Sequence, residues 1–459
     1  MGNDYTSSAF IKNCFIILIA FAFLSCAILY IYLNHKFDNT VLILQIINYV
    51  SFILWFCVCV YSNKKFVPLF IFLYQILSLI ILYSYYLYYV GNSLGINPND
   101  ALFYQDLNEK IRGLSFTNAI STIWNEPRIA YSIGDIGFPV IRYCISKCFF
   151  YLGPDEINFV LLFFNAIINT LASYYLFKLA RFFLNDYNSK ICMILWGLSS
   201  ALVWISASGL KDSIFSFFTL LSIYYMQCII EGKKTLKNFL CFYFFLICTI
   251  FFRIFIFLFV FFTYFVRRHL EKAFFKFYVL GMIIFIVLSY VGTDIFTNIM
   301  PQLGALKMAR NINLEKSFGV ANLFTNTMNF CLAWVTTIPA LYPQAEFRNQ
   351  YVLTYSIILL YFSFFFIFTF VKILILKEKK LYPIVLILFF NIVLTIVSVV
   401  SIQYRFALPT VYLHYIVIMY LFENKDRLLR IFNKKISLGV ANLVVAPVAL
   451  ILFVYYNLH

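Results

Sequence analysis

Charged residues are scarce in this chain. Asp, Glu, Lys and Arg make up 12 % of its 459 residues, against about a quarter in an ordinary globular domain. That leaves too little polar surface for a soluble enzyme, and no stretch reads as a separate soluble domain. Histidine is rarer still: His35, His269, His414 and His459 are the four present, and they are scattered. The eleven cysteines mostly stand singly in apolar runs, where cysteine packs as a small hydrophobe. Two pairs are close, Cys57 with Cys59 and Cys144 with Cys148, but no His or Asp completes a ligand set, so no metal site is expected. Internal repeats are not visible. Also missing are the short alternating segments of a membrane β-barrel. At the N-terminus "MGNDYTS" fits the myristoylation pattern, which is short and weakly selective. No small-residue cleavage site follows the apolar run Cys14 to Leu33, so that run reads as a first transmembrane helix rather than a signal peptide.

What the chain has is apolar length. It is 63 % hydrophobic, and runs of about 20 apolar residues recur, each long enough to cross a ~30 Å hydrocarbon core. The expected fold is all-α: a single polytopic integral-membrane helical bundle over residues 1–459, with the lipid bilayer as its solvent. The net charge of +16 is then a topology signal rather than a nucleic-acid footprint, because Lys and Arg collect in cytoplasmic loops. Basic clusters at Lys64/Lys65, Lys178/Arg181/Lys190, Lys233/Lys234/Lys237, Arg267/Arg268/Lys272/Lys276, Lys377/Lys379/Lys380 and Arg427/Arg430/Lys434/Lys435 are all placed inside. Helices follow near 14–33, 41–61, 67–90, 157–177, 191–209, 213–230, 238–252, 254–266, 274–292, 351–373, 381–401, 409–422 and 437–456. That is about thirteen spans of a multi-pass cytoplasmic (inner) membrane protein. "PVIRYCISKCFFYLG" (139–153), with Arg142 and Lys147, is too short and too charged for a span. It is expected to be an amphipathic helix on the outer interface.

Two long external loops result, 91–156 and 293–350, of a length that in compact proteins marks function or disorder. The second contains "GVANLFTNTMNFCLAWVTTIPALYP", which reads equally as a re-entrant dip or as a further span.

Against this apolar background a few charges stand out. In "WISASGLKDSIFSFFTLL" Lys211 and Asp212 are adjacent between two apolar runs. Consecutive helical residues point about 100° apart, so the two are not a simple ion pair and each needs its own partner. A charge within a span costs roughly 2.5–3.5 kcal/mol on insertion scales. Either both snorkel to the outer interface or both line an outward cavity. "NFLCFYFFLICTIFFRIFIFLFVFFTYFVRR" has basic residues at both ends, so it is expected to be a hairpin with Arg253 near its tip. With arms of about 20–22 Å, Arg253 sits below the outer surface. An isolated charge there costs insertion energy, so its removal is expected to leave the protein folded; the structural alternative is that Arg253 pairs with a carboxylate such as Asp212 to hold the hairpin. "SVVSIQYRFALPTVY" places Arg405 at a third outer turn, with Pro409 opening the next helix. Guanidinium forks and ammonium groups both bind phosphate oxygens, so Lys211, Arg253 and Arg405 together suit a diphosphate at a membrane surface. The first loop supplies carboxylates as candidate general bases: Asp106, Glu109, and Asp135 in "GDIGF".

The succession "GDIGFPVI", "FFNAIINTLASYYLFKLA", "WISASGLKDSIFSFFTLLSIYYM", "FFRIFIF" and "QYRFALP" resembles the Wzy-type polymerases of O-antigen and capsule repeat units, within the C-type glycosyltransferases. It covers roughly residues 95–265 and 380–425. Where many relatives carry Arg-Gln this chain has Lys211-Asp212, and where they carry His it has Arg253. The resemblance implies an enzyme acting on polyprenyl-diphosphate-linked oligosaccharide, without a nucleotide sugar, cofactor or obligatory metal. It adds a chain-length regulator protein as a partner. Lys211, Arg253 and Arg405 would neutralise the departing diphosphate, Asp135 or Asp212 would take the acceptor proton, and Arg310 in "LKMARNINLEK" would hold glycan or diphosphate. Two alternatives stay open: a glycosyltransferase using a polyprenyl-phosphate monosaccharide donor, with an Asp of "NDALFYQD", and a non-enzymatic flippase or transporter of lipid-linked sugars.

Overall fold

The computed structural model describes residues 39–94, 99–127, 129, 133–269 and 404–428, with shorter stretches at 280 and within 365–391 and 430–447. The expected helix at 14–33, nearly all of those at 274–292 and 437–456, the loop 293–350 and Arg310 lie outside the described residues, and the expected helices at 351–373 and 381–401 are described only in part. What is described is helical, apart from a two-residue antiparallel pair, Arg430–Ile431 with Lys434–Lys435.

In chain order the helices whose bounds are described are α1 (Asn39–Tyr61), α2 (Val67–Tyr85), α3 (Asn99–Ile111), α4 (Phe116–Trp124), α5 (Gly137–Cys148), α6 (Pro154–Ala180), α7 (Asp186–Gly197), α8 (Ser200–Ala207), α9 (Asp212–Ile230), α10 (Leu236–Ile250), α11 (Ile254–His269), α12 (Tyr404–Glu423) and the short α13 (Lys425–Leu428), and further helical residues lie within 365–391. Among the described residues, four helices are long and apolar enough to cross a membrane: Val67–Tyr88, Pro154–Ala180, Asp186–Ala207 and Asp212–Ile230. The first two present apolar stripes outward at helical spacing, with Leu69, Leu73 and Leu77 on α2 and Phe159, Phe163 and Ile167 on α6 exposed. Such stripes are unfavourable in water and suited to lipid. The helix of 186–207 is buried over 89 % of its apolar window and forms the centre, against which α2, α6, α9 and α12 pack.

Local chemistry explains the boundaries. Pro154 begins α6 and Asp155 and Glu156 occupy its first turn, the positions that fixed φ and the helix dipole favour. Asn185 caps α7 by accepting from the Asn188 amide at 2.8 Å. Ser199 caps α8 by accepting from Leu202 at 3.2 Å. The expected span 191–209 is therefore broken at Leu198 and Ser199. The Gly197 carbonyl freed by the break accepts from the buried Gln75 Nε2 at 2.6 Å. Gln75 Oε1 accepts from Asn169 Nδ2 at 3.1 Å, Asn169 reaches Ser206 Oγ at 3.0 Å, and Ser206 meets Ser213 at 2.8 Å. This polar ladder ties α2, α6, α8 and α9 together where no water is at hand.

The bundle has two chemically different ends. At one, Asp186 pairs with Lys64 at 2.5 Å and Arg181 at 2.7 Å, and the Lys190 ammonium donates to the carbonyls of Val60 and Ser62 at 2.7 Å, closing the C-terminus of α1. At the other, α3, α4 and α5 fold over the helices around a small core of Leu107, Ile111, Ala119, Ile123, Ile129 and Tyr143. Segment 137–148 is indeed a helix, and it buries Phe138, Pro139, Arg142, Tyr143 and Ser146.

Candidate functional site

The capped end holds the charges singled out by the sequence. Segment 236–269 is a hairpin: α10 and α11 meet at a turn through Phe251 and Phe252, and the Arg253 amide bonds back to the Thr249 carbonyl at 2.9 Å. The hairpin tip docks onto the "GDIG" segment through the Gly137 amide, which donates to the Phe251 carbonyl at 2.9 Å. A Cβ at residue 137 would stand 2.9 Å from both that oxygen and the Phe252 ring. This close backbone approach is why glycine is there.

Docking brings three chain segments together. Asp135, in a 3-10 turn at Ile133–Asp135, pairs with the Lys211 ammonium. Asp212, the next residue, pairs with the Arg253 guanidinium at 3.4 Å. Adjacent Lys211 and Asp212 thus each have a partner of their own. Arg253 also lies over the Phe215 ring, its Cζ 5.7 Å from the centroid, and Phe215 stacks on Phe252 at 5.8 Å. The Asp212 side chain has no exposure and that of Lys211 has 6 %, whereas Asp135 keeps 30 %. Asp135 is thus the carboxylate that a dissolved or membrane-surface ligand can reach.

Arg405 is placed differently from expectation. Helix α12 begins at Tyr404, so Arg405 is in its first turn and Pro409 is inside the helix rather than at its start. Lying beyond the first four amides of the helix, Pro409 has no N–H to give the carbonyl of Arg405, its i−4 partner. Glu423, at the far end of α12, accepts from Asn185 and Asn188 at 3.0 Å. The Arg405 backbone therefore lies toward the same end as Lys211. Asp106 and Glu109 sit at exposed positions of α3, and Glu109 acts electrostatically on Arg142.

One site residue was visible in the sequence only as an awkward charge. Arg142 is fully buried. Its Nη2 donates to Asn158 Oδ1, and Asn158 in turn donates to Ser93 and Gln105 at 2.9 Å. Burial pushes the guanidinium down to about 10, with Glu109 pulling the other way, so it stays charged at neutral pH. A signal for it exists. Residues 138, 139, 142, 143 and 146 follow the i, i+4, i+8 stripe of an amphipathic helix, and Arg142 falls on the buried side.

No protein-family model matches the chain, and neither a curated protein nor a solved structure shows significant similarity to it.

Proposed function

We propose that this chain is a polysaccharide repeat-unit polymerase, joining polyprenyl-diphosphate-linked oligosaccharides at the outer face of the cytoplasmic membrane. The observation that carries the reading is the paired cluster Asp135–Lys211 and Asp212–Arg253, assembled from a loop, a helix start and a hairpin tip at one end of an apolar bundle. Nothing about helix packing requires four charges there, and buried pairs contribute little net stability.

The proposed chemistry is a glycosyl transfer. An acceptor hydroxyl oxygen forms a bond to the anomeric carbon as the bond from that carbon to the diphosphate oxygen breaks. The polyprenyl diphosphate leaves with the electron pair. In the free protein the cluster is balanced, two cations against two carboxylates. Arrival of a diphosphate draws Lys211 and Arg253 toward its oxygens, which frees the Asp135 carboxylate to take the hydroxyl proton. Lys211 and Arg253 then stabilise the charge that develops on the leaving group. Asp212, fully enclosed, is better suited to orient Arg253 than to meet substrate. Arg405 and Arg310 are kept as further diphosphate or glycan contacts.

A second reading has its own observation. A helix broken at Leu198 and Ser199 beside the ladder of Gln75, Asn169 and Ser206 is the kind of interrupted span on which transporters build their sites. The purified protein in nanodiscs, given a polyprenyl-diphosphate oligosaccharide, separates the readings. A ladder of multiples of the unit supports polymerisation. Addition of one sugar from a polyprenyl-phosphate donor supports the monosaccharide transferase. In sealed vesicles, translocation without a new glycosidic bond supports transport.

A further inference from the structure

We propose that Arg142 and the N-terminal turn of α9 form an anion subsite that holds one phosphate group of a prenyl diphosphate. The proposal rests on the polymerase reading for its ligand, but not for its geometry.

The geometry begins with the guanidinium. Arg142 has no solvent exposure, and its Nη2 is held by Asn158. Its Nε and Nη1 have no hydrogen-bond partner. Buried polar groups are almost always matched, and leaving two donors of a charged group unmatched is costly. A purely structural link from α5 to α6 needs no charge. Asn158 is already fixed by Ser93 and Gln105, so an uncharged donor at residue 142 would complete that network at lower cost.

The unmatched side of the guanidinium meets a particular turn. Nη1 stands 3.9 Å from where a Cβ of Gly209 would be. Gly209 has φ +63°, a left-handed conformation that glycine adopts without strain. It lies two residues before Lys211, the N-cap of α9, which makes no side-chain cap. Helix α9 is 19 residues long, and the start of such a helix carries a partial positive charge that favours an anion. The turn is thus bordered by a guanidinium with two unused nitrogens, by a helix N-terminus and by the backbone of Lys211. Leu94 closes it, its Cδ2 3.1 Å from the same Gly209 position, and a ligand enters by displacing this side chain.

Charge balance points the same way. Lys211 and Arg253 each face a carboxylate, so the four-residue cluster alone carries no excess positive charge for a diphosphate. Arg142 adds a third cation, from the helix that follows Asp135 directly, and Glu109 offsets part of its charge.

The test uses the full chain in nanodiscs of phosphatidylcholine, with inorganic pyrophosphate and a short-chain prenyl diphosphate as probes and calorimetric or thermal-shift binding as readout. The wild type should bind both. Arg142→Gln should weaken both at least about tenfold, and Arg142→Lys, a point charge without the fork, should fall between. Asn158→Ala, which removes the link to α6 but keeps the guanidinium, should bind within about twofold of wild type. Equal losses in Asn158→Ala and Arg142→Gln would overturn the proposal in favour of a structural role. So would wild-type affinity in Arg142→Gln, or in Arg142→Lys should the glutamine variant not accumulate. No pyrophosphate binding, but binding of phosphatidylglycerol through Arg142, would reassign the site to a lipid headgroup and reject the proposal. The two readings fail separately. Pyrophosphate binding through Arg142 without polymer formation would reject the polymerase and keep the subsite. A normal polymer ladder and normal binding in Arg142→Gln would reject the subsite alone.

Discussion

Removing the Arg253 guanidinium takes from the fully buried Asp212 carboxylate a neighbour at 3.4 Å. The sequence suggests a costly charge whose loss would leave the fold intact, with a pair to a carboxylate such as Asp212 as the structural alternative, and the pairing favours that alternative. Removing one partner of a buried pair costs about 3–5 kcal/mol, so Arg253→Ala should lower the amount of folded protein as well as activity. The informative variant neutralises both partners. Asp212→Asn with Arg253→Gln should restore membrane levels toward wild type, while polymer formation stays roughly 100- to 1000-fold down; Arg253→Lys should recover part of the activity. A normal polymer ladder from the double variant would assign the pair to folding alone. Gly137 offers a second residue-scale test. The Cβ of Gly137→Ala would meet the Phe251 carbonyl at 2.9 Å and push the hairpin tip off its seat. The expected cost is about 1–3 kcal/mol, with activity lost because Arg253 moves too. Gly113→Ala, whose Cβ meets nothing within 4 Å, is the control and should change stability by no more than about 0.5 kcal/mol. Thermal unfolding in detergent, paired with the polymer assay, reads both.

At the scale of elements, apolar run length revealed most of what was found. The runs at 41–61, 67–90, 157–177 and 213–230 became helices within a few residues of expectation. Basic residues at both ends of 236–269 were enough to argue a hairpin. Less legible were features that depend on neighbours. The break between α7 and α8 has no proline, and the glycine before it, Gly197, is an ordinary helix-end residue. The break is held by Gln75, 122 residues earlier in the chain, and no local pattern encodes that contact. Arg142 was legible as a charge but not as a buried one, because α5 is buried by α3 and α4, whose folding over the bundle only the tertiary structure reveals. The ladder is testable as an element-scale device. Gln75→Leu leaves the Gly197 carbonyl unmet inside the bundle, an expected cost of about 1–3 kcal/mol, whereas Gln75→Glu at low pH, protonated, should restore part of it. If Gln75→Leu unfolds at the wild-type temperature, the break is satisfied some other way.

For the whole molecule, function depends on which end faces out, and the cysteines offer a direct reading. The charge asymmetry argues that the end with Lys64, Arg181 and Lys190 is cytoplasmic and that the end capped by α3, α4 and α5 is external. Among the described residues, Cys144 and Cys148 on α5 are exposed, while Cys59, Cys192 and Cys228 are buried. The two exposed thiols are at the capped end, and Lys65, also exposed, is at the other. An impermeant maleimide applied to intact cells should therefore label a variant in which Cys14, Cys26 and Cys331 are replaced by serine, and the label should vanish when Cys144→Ser and Cys148→Ser are added. On that unlabelled background Lys65→Cys should react only after the membrane is permeabilised. The polymerase proposal depends on this result in a way that the fold does not. Helices cross a bilayer equally well in either orientation, but Asp135, Lys211, Arg253 and the Arg142 subsite must open to the compartment where lipid-linked oligosaccharide is displayed for assembly. Labelling of Lys65→Cys in intact cells, with Cys144 and Cys148 protected, would place the paired charges on the cytoplasmic side. A polymerase acting at the outer face would then be ruled out, however well the same residues bound a diphosphate in nanodiscs.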